Sequence, residues 1–201
     1  MRRIYIAGLL LGVACGGGIE TDVRTRSGPT QFGGKHAVFF MYDAWVSSIA
    51  GDFSDAGFSS SGPVAITEFD LYIQDAPWTC WEPDAGPGPT DVAEAIWQMS
   101  RPKPAPFTGG DYALGGSPEL GDSASAMYLD RRPGCLAQVA YTTGGKLNLS
   151  GLTQDEAVGS ISVSLDDGTQ LQGEFVARHC PMVFTPPPDG GFLDPLPHCG
   201  S

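Results

Sequence analysis

The sequence predicts an all-β fold, an antiparallel β-sandwich or barrel-like body built from short strands. Three observations predict it. First, Gly159 to Cys180 (GSISVSLDDGTQLQGEFVARHC) reads as a hairpin. Ile161, Val163 and Leu165 alternate with serines, and Leu171, Phe175 and Ala177 alternate with Gln170, Gln172, Glu174 and Arg178, the period-2 signature of half-buried strands. A two-residue Asp167-Gly168 turn would set Leu165 against Gln170 and bring an apolar face onto a polar one. A three-residue loop, Asp166-Asp167-Gly168, instead puts Gly168 at the left-handed position of a G1 bulge and pairs Val163 with Leu171. That register is the expected one. Second, from Gly110 onward short alternating runs recur at steps of about ten residues, with Pro133-Gly134 and Gly144-Gly145 as turn punctuation between them. Third, 28 glycines and 17 prolines make a turn-rich composition, while 41% hydrophobic residues suffice for a core.

The elements follow in order. Residues 1–14 read as a signal peptide, in which Arg2 and Arg3 form a basic start and Ile4 to Val13 an apolar stretch too short to span a bilayer. Gly12-Val13-Ala14-Cys15 resembles a bacterial lipobox, which implies lipidation at Cys15 and cleavage before it. It departs from that pattern in having Gly12 where leucine is usual, with Leu11 one place earlier. The other reading of the segment is an ordinary secretory signal cut near Ala14. Gly16 follows Cys15, and by resemblance to Gram-negative lipoprotein sorting the absence of aspartate there implies the outer membrane. Residues 15–35 are polar, glycine-rich and aperiodic, so they read as a lipidated cysteine and flexible tether. The folded domain is expected over 36–180.

His36 to Val46 is aromatic and β-branched on both parities, as in a strand buried on both sides. Gly51 to Pro63 reads as a loop. Val64 to Gln74 reads as a strand with Phe69, Leu71 and Ile73 on one face and Glu68, Asp70 and Tyr72 on the other. Ala76 to Thr90 is a proline-rich loop carrying Trp78, Cys80 and Trp81. Asp91 to Ser100 fits two elements. A helix capped by Thr90 would align Val92, Ala95, Ile96 and Met99, and a strand would align Ala95, Trp97 and Met99. The strand is preferred, because its neighbours are strands and a lone short helix is marginal. DYAL, SASAMYL, LAQVAY and KLNLSGL are the short strands before the hairpin. Residues 181–201 form a proline-rich tail that a disulfide would pin.

Five cysteines are odd for an exported chain. Lipidating Cys15 leaves the even set Cys80, Cys135, Cys180 and Cys199, suited to an oxidising compartment. Spacing does not separate the possible connectivities. Cys80–Cys135 and Cys180–Cys199 are the expected pairs, the latter worth about 3 kcal/mol on the chain-entropy model. Loss of Arg2 and Arg3 takes the net charge from −12 to −14. So acidic a chain argues against nucleic acid and anionic lipid surfaces, and leaves acyl chains as the means of membrane attachment.

Gly145-Lys146-Leu147-Asn148-Leu149 and the Gly159–Cys180 hairpin together resemble a GxLxL…GxIxVxLxDGxxLxGxF…C pattern of uncharacterised bacterial lipoproteins. The resemblance covers Tyr112 to Cys180 and implies a β-sandwich lipoprotein without an assigned activity.

No candidate chemistry outweighs its simpler account. His179-Cys180 and His198-Cys199 supply four zinc-ligand types, yet adjacent strand residues point to opposite faces, and a disulfide with incidental histidines is simpler. Gly121-Asp122-Ser123 is similar to the GDS start of one esterase family. That family has its Ser near the N-terminus and its Asp and His three apart, whereas Asp194 lies four before His198, and no GxSxG elbow is present. Asp52, Asp55, Asp166 and Asp167 are calcium-type oxygens without EF-hand spacing. A carboxylate pair for glycoside cleavage is a matter of spatial separation that sequence does not give. No cofactor or metal is expected. Trp78 and Trp81 flank Cys80 in a loop, where they either pack on a disulfide or offer a platform for sugar or peptide. The expectation is a non-enzymatic outer-membrane lipoprotein acting as an envelope structural or interaction module, with a glycan- or peptide-binding module and an envelope hydrolase as successive alternatives.

Overall fold

The computed structural model describes residues 21–46, 64–77, 92–116, 123–130 and 138–180. Among them every regular element is a strand: β1 (Asp22–Ser27), β2 (Gly33–Gly34), β3 (His36–Val46), β4 (Val64–Gln74), β5 (Ala93–Pro102), β6 (Gly110–Ala113), β7 (Ser123–Asp130), β8 (Gln138–Leu152), β9 (Glu156–Leu165) and β10 (Gln170–His179). The all-β, barrel-like expectation holds. β3, β4, β5, β7, β8, β9 and β10 pair in a ring, a closed 7-strand mixed barrel, and β1, β2 and β6 are additions to it.

The hairpin forms in the expected register, with Leu171 opposite Val163 and Gly173 opposite Ile161. Gly168 has φ 85° and donates its N–H to Leu165 O at 3.0 Å. Both apolar rows therefore face one side, which becomes the barrel interior. Ala93–Pro102 is a strand, as preferred over the helix: Ala95, Trp97 and Met99 point inward and Glu94, Ile96 and Gln98 outward.

Two expectations are corrected. Residues 22–34 are not tether but sheet. β1 pairs antiparallel with β10, Asp22 opposite Glu174, and β2 folds back on β1. Val23 and Phe32 enter the barrel, and the Phe32 ring meets Tyr128 on β7 edge-on at 5.5 Å. Only two apolar residues anchor this hairpin, too few to create a period, and its hydrogen-bonding partner lies at the other end of the chain. Among the described residues the sheet therefore begins at Asp22 rather than at His36. Gly144-Gly145 is also not a turn. The described part of the first run, Gln138 to Tyr141, and KLNLSGL are joined in one 15-residue strand, β8, whose edge neighbour changes from β7 to β6. Gly145 sits at the bend with φ 153°, where a Cβ would lie 2.5 Å from Ser162 O.

One parallel contact closes the ring. β10 and β3 pair only at Arg178–Val38 and His179–Phe39, because β1 occupies the earlier half of the same β10 edge. Inside, Phe39, Phe69, Leu71, Ile73, Trp97 and Phe175 are all 0% exposed. Phe39 and Phe69 stack at 5.5 Å, and Phe107 continues the aromatic column from Phe69 at 5.9 Å. Arg101 lies over Phe107 and Tyr112, at 5.2 and 5.4 Å, and donates to Pro106 O. A barrel of this strand number has an interior just wide enough for side chains to fill, and these side chains fill it.

Candidate functional site

Because the interior is packed, chemistry has to be sought on the outer wall. The inward row of β4 (Phe69, Leu71, Ile73) obliges Ile66, Glu68, Asp70, Tyr72 and Gln74 to face out. Register then assigns their neighbours. Phe40 and Gln98 flank Asp70, Tyr42 and Ser100 flank Glu68, and Val38 and Ile96 flank Tyr72. Two carboxylates thus stand two residues apart on one face, about 7 Å along the strand, among aromatic rings. Phe40 and Tyr72 meet edge-to-face at 5.6 Å.

This wall is not wet in the ordinary way. Asp70 is 3% exposed, and Gln74 and Glu94 are each 2% exposed. The Tyr42 hydroxyl donates to Asp70 Oδ2 at 3.1 Å, and Gln74 Nε2 donates to Glu94 Oε2 at 2.9 Å. Asp70 Oδ1 and Gln74 Oε1 have no hydrogen-bond partner. Burial first, and then the neighbouring Glu68 charge, push Asp70 up to about 6, against the opposing pull of Tyr42 and Gln98. Glu68 is raised by burial and eased by Ser100. Tyr42 is raised by burial and by both carboxylates, so its hydroxyl is a fixed donor. Among the described residues no lysine or arginine forms an ion pair with Glu68 or Asp70, whereas Lys103 pairs with Asp43 and Arg24 with Asp22.

A row of apolar outward residues borders the cluster: Val38, Tyr72, Ile96, Met127 and Tyr141, each opposite the next from β3 through β4, β5 and β7 to β8. Tyr141, at its far end, is 61% exposed. On the opposite wall, Ser160 and Ser162 floor a groove of about 400 Å³ bounded by Arg26, Lys146, Glu174 and Asp22. That groove is open to water and its acids and bases balance, so it holds no group away from solvent. The β3–β4–β5 wall does.

The chain matches no family model, and no curated protein or solved structure proves similar to it. The residues singled out from sequence fare as follows. Cys180 is buried, packed with Val38 and Phe40, and disulfide-bonded. Cys15, Cys80, Cys135, Cys199, Trp78 and Trp81 lie outside the described residues, and with them the expected pairings. The β4–β5 loop that carries Trp78 and Trp81 springs from Gln74 and returns at Ala93, whose N–H bonds Asp75 Oδ1 at 3.0 Å. His179 lies against Phe39, with ring centroids 5.1 Å apart. Asp167 is occupied by its own turn, accepting from Thr30 Oγ1 and from the Thr169 N–H. Ser123 begins β7, while Asp52, Asp55, Asp122, Asp194 and His198 fall outside the described residues. Among the described residues, no group of three or more His, Cys, Asp or Glu is placed to hold a metal.

Sequence reasoning placed Glu68, Asp70 and Tyr72 on one face and did not single them out. The signal available was acids recurring on a strand whose other face is fully apolar. What was missing was the cross-strand neighbours, and with them the burial.

Proposed function

We propose that this protein is an exported, lipid-anchored envelope lipoprotein whose barrel is a non-enzymatic interaction module that binds through its outer wall. The observation that carries the reading is the packed interior: a filled barrel offers ligands only its outside. The disulfide at Cys180 suits an oxidising compartment. The Arg2–Cys15 segment supplies the route out and the acyl site, and Gly16 after Cys15, by its resemblance to Gram-negative lipoprotein sorting, supports the outer membrane as its destination. Mass spectrometry of the mature N-terminus tests the anchor. A diacylated or triacylated Cys15 is expected, and an unmodified Cys15 in membrane-free fractions overturns it. A hydrolase panel addresses the catalytic alternative, and turnover abolished by Glu68→Gln would replace the binding reading with an enzymatic one.

A second reading, glycan or peptide capture by Trp78 and Trp81, is favoured by one observation. The loop bearing them is rooted at the Gln74–Glu94 hydrogen bond and the Asp75–Ala93 bond, an ordered base for a binding loop. A glycan array with wild type and a Trp78→Ala, Trp81→Ala double variant tests it, and equal array profiles end it.

A further inference from the structure

We infer that the outward face of β3 and β4 seats an organic cation, an ammonium or guanidinium group, held between the Asp70 and Glu68 carboxylates and against the rings of Phe40, Tyr42 and Tyr72. The inference names the ligand class of the outer-wall site and rests on the reading that the barrel binds through that wall. It uses neither the anchor nor the compartment.

Three independent features point the same way. A carboxylate withdrawn from water costs several kcal/mol unless it is paired, and one oxygen of Asp70 has no partner while the residue is 3% exposed. An acceptor without a donor defines a place for a group that brings donors and no acceptors, which describes ammonium and guanidinium. The surroundings then choose a carbon-bearing cation over a bare metal ion. Aromatic faces beside carboxylates are how proteins hold alkylated or guanidinium cations, whereas calcium or magnesium needs about six oxygens at fixed distances. Finally, the two acids lie about 7 Å apart along β4, so a single ammonium between them can reach both. Half-buried Glu68, Tyr42 and Tyr72 form the approach. The net charge of the chain, −12, concentrates cations near it.

The test is calorimetric titration of the purified mature protein at neutral pH with 1,4-diaminobutane, arginine amide, tetramethylammonium and hexalysine, using 1,4-butanediol and sodium chloride as controls. At least one cation is expected to saturate below about 1 mM, with neither control binding. Glu68→Gln, which keeps the size and the Ser100 contact, is expected to weaken that binding about tenfold, the worth of one charge-assisted bond. Asp70→Asn is expected to weaken it at least as much, and Glu68→Gln keeps the test decisive if Asp70→Asn misfolds. Small cations binding as well as hexalysine identify a free amine as the ligand, while hexalysine alone identifies side chains of a partner polypeptide. Absence of saturation by every cation, or equal affinity in wild type and Glu68→Gln, overturns the inference. Either result leaves the acylation of Cys15 untouched, so the two readings fail separately.

Discussion

Replacing Asp70 by asparagine should make this protein more stable at neutral pH. Folding moves the Asp70 pKa from 3.8 to about 6. Each unit corresponds to about 1.4 kcal/mol, so the ionised side chain costs the native state about 3 kcal/mol above pH 6. The native state holds the proton more tightly than the unfolded chain. The contribution is therefore most favourable below about pH 4, is lost as pH rises through about 6, and stays lost above. Asparagine does not titrate and still accepts from the Tyr42 hydroxyl, but its amide introduces two buried donors, which removes about 1–2 kcal/mol of the gain unless Gln98 accepts one. The net expectation is a stabilisation of about 1–2 kcal/mol at pH 7.5, shrinking to nothing or reversing near pH 4. Urea unfolding followed by tryptophan fluorescence at pH 4.5, 6 and 7.5 measures it. A difference between wild type and variant that is the same at all three values would refute the reasoning, because it would show that the Asp70 carboxyl does not titrate between them. The cation inference gives this result its meaning: an acid that weakens the fold has a reason to stay if it holds a ligand.

Phe32→Ala should cost about 3–5 kcal/mol by emptying the buried space that its ring fills beside Tyr128, measured as a lowered urea midpoint, whereas a true tether residue would cost nothing. Gly173→Ala should loosen β1, since a Cβ there would lie 1.9 Å from Asp22 O. Hydrogen exchange of the β1 amides should rise by orders of magnitude, and unchanged protection would contradict the pairing of β1 with β10. Gly168→Ala places a side chain at φ 85° with open space around it. It should therefore cost only the about 1–2 kcal/mol of left-handed strain, with the hairpin register kept, and circular dichroism with thermal melts can separate strain from misfolding.

What the sequence made legible was local. Val163 lies opposite Leu171, Ile161 opposite Gly173 and Gly159 opposite Phe175 across a three-residue loop, so alternation and turn chemistry sufficed for face and register. The same held for β4, where inward and outward rows were readable from Phe69, Leu71 and Ile73 alone. What was not legible required partners remote in the chain. Val23 is an isolated apolar residue until β10 lies beside it, and Gly144-Gly145 reads as a turn until β6 and β7 are seen to share one edge of β8. The candidate site failed for the same reason. Glu68 and Asp70 look like a solvated face until Phe40, Tyr42 and Gln98 are placed on either side of them. Burial, not residue type, turns these acids into a site, and burial is a property of the assembled sheet.

The division of one β10 edge between β1 and β3 bears on how the chain comes to be folded at all. The Thr21 hydroxyl and the Val176 backbone exchange hydrogen bonds across 155 residues of chain, and the ring is shut only by residues near Arg178. Contacts this distant are formed late, after most of the loop-closure entropy has been spent, and folding on the millisecond-to-second scale follows. Until β10 is available, β1, β3 and β9 all present unpaired backbone edges, and the edge of β3 is among the most apolar surfaces of the chain. A stalled or C-terminally truncated chain would then be an open sheet rather than a smaller barrel, exposed to pairing with its own copies. The last strand made is the one that renders all the earlier ones safe.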